Sequence, residues 1–228
     1  MCGRYTLADP NRVNEACFYE FSVRWPELKP RYNIMRSQLL PTISLNSEER
    51  AVANTMRWGL VPSWDKSEKP KITPINARSE EVTEKPMFKQ AIQKRRCLVP
   101  ADGFFEWKRI GEEAKQAFWI HLVDKQPFWI AGIFESGAEN KPDTYALLTT
   151  RPNTLMAAIH DRMPVMLTKE GAHDWLRNGP ITPDELGHLA SPYAAKQMRA
   201  VAVSTLVNNT RNDGSEILAP DRMDELPL

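Results

Sequence analysis

The chain has 228 residues, with 30 Lys and Arg against 29 Asp and Glu and a formal net charge of +1. That is enough to bury a sizeable core in one generous domain, but bulk charge gives no steering toward nucleic acid, so any nucleic-acid binding must come from a local groove. Three cysteines (Cys2, Cys17, Cys97), an odd number without CxxC spacing, argue against a disulfide framework or a cysteine zinc site and, as reduced thiols, point to a cytoplasmic protein. No stretch approaches the ~20 consecutive apolar residues of a membrane span and no signal-peptide core opens the chain, so no membrane partner is expected.

In chain order, Asp9-Pro10 is an N-cap followed by proline at the first helical position, which predicts a helix from Asn11 to about Tyr19. Leu39–Leu45 and Ala51–Trp58 read as strands flanking the polar turn Asn46-Ser47-Glu48-Glu49. Pro86–Arg96 has helical composition. Phe104–Arg109, Ala117–Val123, Phe128–Phe134 and Tyr145–Thr150 form a run of short strands. Thr168 and Thr182-Pro183 open two later helices, the first ending near Asn178-Gly179, and Arg199–Ser204 is a last strand. Strands dominate the middle and helices decorate the ends, without βαβ alternation. That pattern predicts an α+β fold: a single domain on a mostly antiparallel β-sheet or barrel with peripheral helices. No composition shift marks a second domain, so 1–228 reads as one domain with a loosely ordered tail from about 219 to 228.

The chemistry starts at Cys2. A small residue at position two usually allows removal of the initiator methionine, which leaves an α-amine and a thiol on one residue. A 1,2-aminothiol condenses with an aldehyde to an imine, and the thiol then closes onto the same carbon as a thiazolidine. The second step is intramolecular, where effective molarities are very large. The amine titrates near ~7.7–8.0, so a nucleophilic fraction exists at neutral pH. The thiol needs a base or a positive neighbour, and Arg4 stands nearby in sequence. Alone, Cys2 reads more readily as a buried structural thiol, since free cysteines are among the most buried residue types.

Four further segments combine unusual residues. Arg57-Trp58-Gly59-Leu60-Val61-Pro62-Ser63-Trp64 places two indoles around a Gly/Pro turn. Trp58 reads as a core anchor, Trp64 as a core residue or a stacking platform for unpaired bases. In Ile75-Asn76-Ala77-Arg78-Ser79-Glu80, an extended backbone would point Asn76 and Arg78 to the same side. Ala101-Asp102-Gly103-Phe104-Phe105-Glu106-Trp107-Lys108 sets Glu106 among aromatics, where desolvation raises a carboxyl toward useful acid–base range unless Lys108 or an arginine pairs it. Ile159-His160-Asp161-Arg162-Met163-Pro164 holds a histidine that Asp161 and Arg162 can orient or tune. His121 reads as a core or edge residue of a strand, and His173 and His188 as solvated positions on polar helices.

Together with Cys2-Gly3-Arg4 and the late Val203-Ser204-Thr205-Leu206-Val207-Asn208, these segments strongly resemble the SRAP family, in order and from Cys2 to roughly Leu218. The resemblance implies the SRAP fold and the shielding of abasic sites in single-stranded DNA, with Cys2 forming a thiazolidine with the ring-opened sugar aldehyde. It implies His160 and Glu106 as proton-transfer groups, at the sugar and at the amine respectively, and Asn76 as the group that holds the Cys2 backbone and the product ring. Arg4 and Arg78 would bind flanking phosphates, with Arg162 beside them, and Trp64 would stack on bases. No metal and no organic cofactor is implied. The expected partner is single-stranded DNA containing abasic sites, bound by a monomer that is nucleoid-associated when on DNA. An imine also eases β-elimination, so a weak strand-nicking lyase activity is a plausible side reaction. One departure stands out. The family's Tyr-Asn-Ile/Val-Ala-Pro reads here Tyr32-Asn33-Ile34-Met35-Arg36, which changes a loop and offers Arg36 as a phosphate contact. Retention of Met1 would tie up the Cys2 amine and block ring closure. Two other functions compete: a cysteine-type peptidase that uses Cys2, His160 and Glu106 to release Met1 or cut other proteins, and a non-covalent binding module for modified bases.

Overall fold

In the computed structural model, which describes residues 2–25, 27–111, 114–138 and 140–221, the chain opens with β1 (Arg4–Leu7). Asp9 then caps α1 (Pro10–Val13) by accepting from the Arg12 amide. The helical run expected to reach Tyr19 continues in other windings, a π turn over Asn14–Phe18 and a 3-10 turn over Tyr19–Phe21. The wider turn lets the adjacent residues Cys17 and Phe18 both bury, with Phe18 edge-on to Trp129.

The strands β2 (Arg31–Met35), β3 (Leu39–Leu45), β4 (Ala51–Trp58) and β5 (Asn76–Arg78) follow. Next come helix α2 (Pro86–Lys94), β6 (Arg96–Ala101), β7 (Gly103–Ile110), β8 (Ala114–Leu122), β9 (Phe128–Glu135) and β10 (Thr144–Thr150). The remainder is α3 (Thr154–Ala157), β11 (Met163–Pro164), β12 (Met166–Leu167), α4 (Lys169–Leu176), α5 (Pro183–Leu189) and β13 (Met198–Val203). The β3–β4 hairpin has the expected bounds, and its turn is tied by Asn46, whose side chain accepts from the Glu48 and Arg50 amides. Thr182 and Glu185 form a reciprocal capping box on α5.

Two sheets result. One is fully antiparallel, in the order β13-β8-β7-β1-β2. In the other, β10, β4, β3, β6 and β9 pair in turn and β9 pairs back to β10, which closes a barrel. Its parallel pairs are β4–β10 and β5–β10. The α+β, mostly antiparallel architecture is therefore the observed one, with mixed sheets of many strands and few helices.

The core lies between the sheets, where Tyr5 of β1 meets Trp58 of β4 and Tyr145 of β10. The two tyrosine hydroxyls are 3.0 Å apart, and Trp58 stacks on Tyr145 at 6.3 Å. Behind the first sheet, Phe105, Trp107 and Trp119 pack under the 3-10 turns Thr205–Asn208 and Ser215–Leu218. At the start of the expected tail, the Asp221 amide donates to the Ala202 carbonyl and Pro220 bridges Val203, so the chain is tied down through Asp221. Residues 222–228 of that tail lie outside the described residues, as does Met1. Among the described residues, no helix is long and apolar enough to cross a membrane.

Candidate active site

Strand pairing builds the site. Within the β1–β7 ladder Arg4 faces Phe105 and Tyr5 faces Phe104, so one step outward Gly3 comes level with Glu106, next to Cys2. Alternation along β7 sends Phe105 and Trp107 behind the sheet, while Phe104 and Glu106 face the core side. Glu106 is thus 2% exposed, and burial pushes its carboxyl above the usual glutamate range, with the nearby His160 charge acting in the opposite sense. Where the sequence offered a salt bridge to Lys108 or an arginine as the ordinary alternative, the structure sets His160 beside this carboxyl, with Nε2 at 4.0 Å from Glu106 Oε2.

Cys2 is 0% exposed. Its Sγ donates to the Arg4 carbonyl at 3.8 Å, and burial, reinforced by the Glu106 charge, pushes the thiol well up and keeps it protonated. Arg4 does not supply the positive neighbour. Its guanidinium turns behind the sheet, donating to Asn33 Oδ1 at 2.9 Å and to the Val207 carbonyl and lying 5.7 Å from the Trp107 ring centre. The reason is strand alternation: Arg4 and Phe105 share the face opposite the active-site side.

Asn76 begins β5, whose parallel register with β10 sets Leu147 beside Asn76 and Thr149 beside Arg78. The Trp58 indole donates to the Ile75 carbonyl at 2.9 Å and fixes the approach of this strand. Asn76 Nδ2 donates to the Cys2 carbonyl at 2.8 Å. Its Oδ1 is buried with no hydrogen-bond partner among the described residues, an acceptor left for an incoming group.

His160 follows α3, whose first turn is capped by Asn153, and its own amide donates to the Met156 carbonyl. The Arg162 amide lies 3.0 Å from His160 Nδ1 and Asp161 Oδ1 lies 2.8 Å from the same nitrogen, and together they fix the ring with Nε2 turned toward Glu106.

The residues expected on DNA are distributed unevenly. Arg78 is exposed and meets Glu81 at 3.4 Å. Arg36 is exposed and donates to Thr73 Oγ1 at 3.3 Å. Trp64 is 63% exposed on its turn, whereas Trp58 is core. Arg162 is different: its guanidinium is 11% exposed and bidentate to Glu80 at 2.9 and 2.8 Å, and it also donates to the Thr149 carbonyl. Through its amide it also fixes His160. Glu80 and Trp107, which support these groups, stand inside the motif segments without having been singled out. His121 is buried with Nδ1 at 2.7 Å from the Leu122 carbonyl, and His173, rather than being only solvated, pairs with Glu20 at 2.9 Å.

A buried thiol thus meets an asparagine, a histidine and a buried carboxyl held above its usual range, and among the described residues no group of three His, Cys, Asp or Glu side chains is placed to hold a metal ion. A family profile described as SOS response associated peptidase (SRAP) matches residues 1–210, and the chain belongs to this family. It is 39% identical over 224 residues to the abasic site processing protein YoqW of Bacillus subtilis (strain 168), covering 96% of this chain and 99% of that one. It is 33% identical to the abasic site processing protein YedK of Escherichia coli (strain K12), over 96% and 100% of the two chains. A crystal structure of a protein from Bacteroides thetaiotaomicron superposes with a TM-score of 0.79 at 25% identity, over 96% of this chain and 100% of that one.

Proposed function

We propose that this protein processes abasic sites by covalent capture in single-stranded DNA, through the aminothiol of Cys2 after removal of Met1. The observation that carries the reading is the convergence on Cys2 of Asn76, bonded to its carbonyl, and Glu106, whose charge acts on its thiol, with His160 facing Glu106. The names of the relatives, abasic site processing proteins, point to the same substrate.

The chemistry balances with one water lost. The ring-opened sugar presents an aldehyde. The Cys2 amine adds to its carbon, and the carbinolamine expels water to give an imine. The thiol then adds to that carbon of the protonated imine, its proton passing to the Glu106 carboxylate, and the thiazolidine closes with its ring nitrogen as N–H. Glu106, kept protonatable by burial, delivers the proton that carries off the water and receives the one from the thiol. His160, with Nε2 turned toward Glu106 and Nδ1 held by Arg162 and Asp161, transfers the proton that opens the sugar hemiacetal. Asn76 keeps the Cys2 carbonyl fixed while its unoccupied Oδ1 accepts from the amine or a sugar hydroxyl. Arg78, Arg36 and Trp64 line the path of the strand, whereas Arg4, turned behind the sheet onto Asn33 and Val207, supports it from the back. Transient imine also permits β-elimination, a slow lyase side activity.

A peptidase reading fits the site less well. Amide attack needs a thiolate, and this thiol is desolvated beside a carboxylate, which favours the protonated form. An imine carbon is electrophilic enough to take a thiol whose proton leaves in the same step. The test is intact mass spectrometry of the protein alone and after mixing with single-stranded DNA bearing one abasic site. Loss of Met1 and a DNA adduct lighter than the sum by one water are expected. A processed protein that forms no adduct would overturn the reading.

A further inference from the structure

A cavity of about 480 Å³ opens between the segment from Arg57 to Thr73 and the stretches 136–138 and 140–144. Its size suits a nucleoside, since small-ligand sites run roughly 300–1,000 Å³. Four features tie it to the Cys2 site. Along β10, Thr144 and Tyr145 stand beside Arg57 and Trp58, and Leu147 stands beside Asn76. Three residues of strand span about 10 Å, so the cavity floor lies one short step from the asparagine that holds Cys2.

Arg36 bridges the two places. Continuing the β1–β2 register past Arg4 and Met35 brings Arg36 level with Gly3, and its guanidinium donates to Thr73 on the cavity wall. The charge is also suitable. Arg57, Lys66 and Lys141 line the cavity with Arg36 at its edge, against Asp65 and Glu68, and the Asp65 carboxylate is occupied by the Ser67 amide and hydroxyl at 3.0 and 2.5 Å. Finally, Gly59, at φ 128°, keeps a wall free of side chain and lets the turn pass close to Thr73.

We propose that this cavity receives the unpaired nucleotide immediately next to the abasic site, on one side only, with its base inside and its phosphate on Arg36. The proposal rests on the single-strand capture reading above. Mixed apolar and polar walls suit a base, with flat faces and hydrogen-bonding edges, and the cations at the mouth suit the phosphate that follows it. The lesion leaves a gap in the stack, so its neighbour has lost one stacking partner and turns out of the strand more easily.

The test uses strands carrying one abasic site and one 5-iodouracil, placed immediately 5′ or immediately 3′ of it. Cys2 adduct is first measured by intact mass, the complex is irradiated, and the photo-adduct is mapped by peptide mass. Photo-adducts within 57–73 or 136–144 are expected from one of the two positions. In the Lys66→Glu, Lys141→Glu double variant the ratio of photo-adduct to Cys2 adduct should fall about tenfold. Photo-adducts confined to other segments, or a ratio unchanged in the double variant, would overturn the cavity assignment while leaving capture intact. Absence of any Cys2 adduct would overturn capture instead. The same strands irradiated with the Cys2→Ala variant then decide the cavity on non-covalent binding alone.

Discussion

Two buried carboxyls stand four residues apart on β7, Asp102 just before the strand and Glu106 in its middle, and burial pushes both above their usual range. Their surroundings differ. Asp102 accepts from Thr6 Oγ1 at 2.5 Å and from the Asp9 amide at 2.9 Å, and its own amide donates to the Thr6 carbonyl. It fastens the far end of β1 to the β6–β7 turn, where Gly103 is obligatory because a Cβ would sit 2.1 Å from the Trp119 indole nitrogen. Glu106 faces a thiol and an imidazole. A buried carboxylate with several backbone and hydroxyl donors is a fastener; one set against titratable groups is a proton carrier. The same strand therefore holds register where it begins and, on the proposed reading, carries the proton chemistry at its middle.

The strongest way to break this contrast is at its target. Cys2→Ala should abolish the covalent DNA species on a denaturing gel, and equal crosslinking by this variant and the parent would sink the mechanism. Glu106→Gln should slow adduct formation by about 10²–10⁴-fold with the fold retained, read as a rate at saturating DNA. His160→Ala should slow it about 10²-fold and leave single-strand affinity unchanged by fluorescence anisotropy.

Asp102→Ala should do the reverse. It strands the Thr6 hydroxyl and the Asp9 amide and costs about 1–3 kcal/mol in urea unfolding, while the adduct rate of the folded protein stays within a few-fold. Both carboxyls also give stability a pH dependence of fixed sign. A folded pKa raised above ~3.9 for Asp and ~4.3 for Glu means a contribution fully present below those values and lost as pH rises through the folded pKa. Thermal melts from pH 4 upward should lose part of this slope in Glu106→Gln, and a slope identical to the parent's would contradict the desolvation argument. The smallest effect is expected at the rim, where Trp64→Ala should weaken single-strand binding by roughly 1–3 kcal/mol without changing the adduct rate at saturation.

Much of the fold was legible locally. Short β-branched or aromatic runs marked β7, β8, β9 and β10, the polar turn at Asn46 marked β3 and β4 on either side of it, a last strand was legible at β13, and the caps Asp9, Thr168 and Thr182 marked helix starts. β6 was not marked: Pro100 interrupts its pattern, yet the strand survives because its pairing with β9 and its complete burial outweigh local preference. β1 and β2 are short and gain their identity from partners, β1 from β7 and β2 from β1. The site segments were legible as segments, since each joins residue types that rarely coincide without chemistry. Their contacts were not, because the hydrogen bond from Asn76 to Cys2 spans 74 positions and the one from Arg4 to Val207 spans 203.

By itself, the sequence determined the aminothiol potential of Cys2, the membership of Glu106, Asn76 and His160 in chemically unusual segments, and an antiparallel α+β architecture. All of these follow from residue chemistry and short-range periodicity. Only the tertiary structure decided that the Cys2 thiol is desolvated against Glu106, that Arg4 serves the back of the sheet rather than the thiol, and that Arg162 is engaged by Glu80 while its amide holds the His160 ring. Protonation and orientation depend on which distant groups remove water and which fill each donor, and those are set by strand register between segments far apart in the chain.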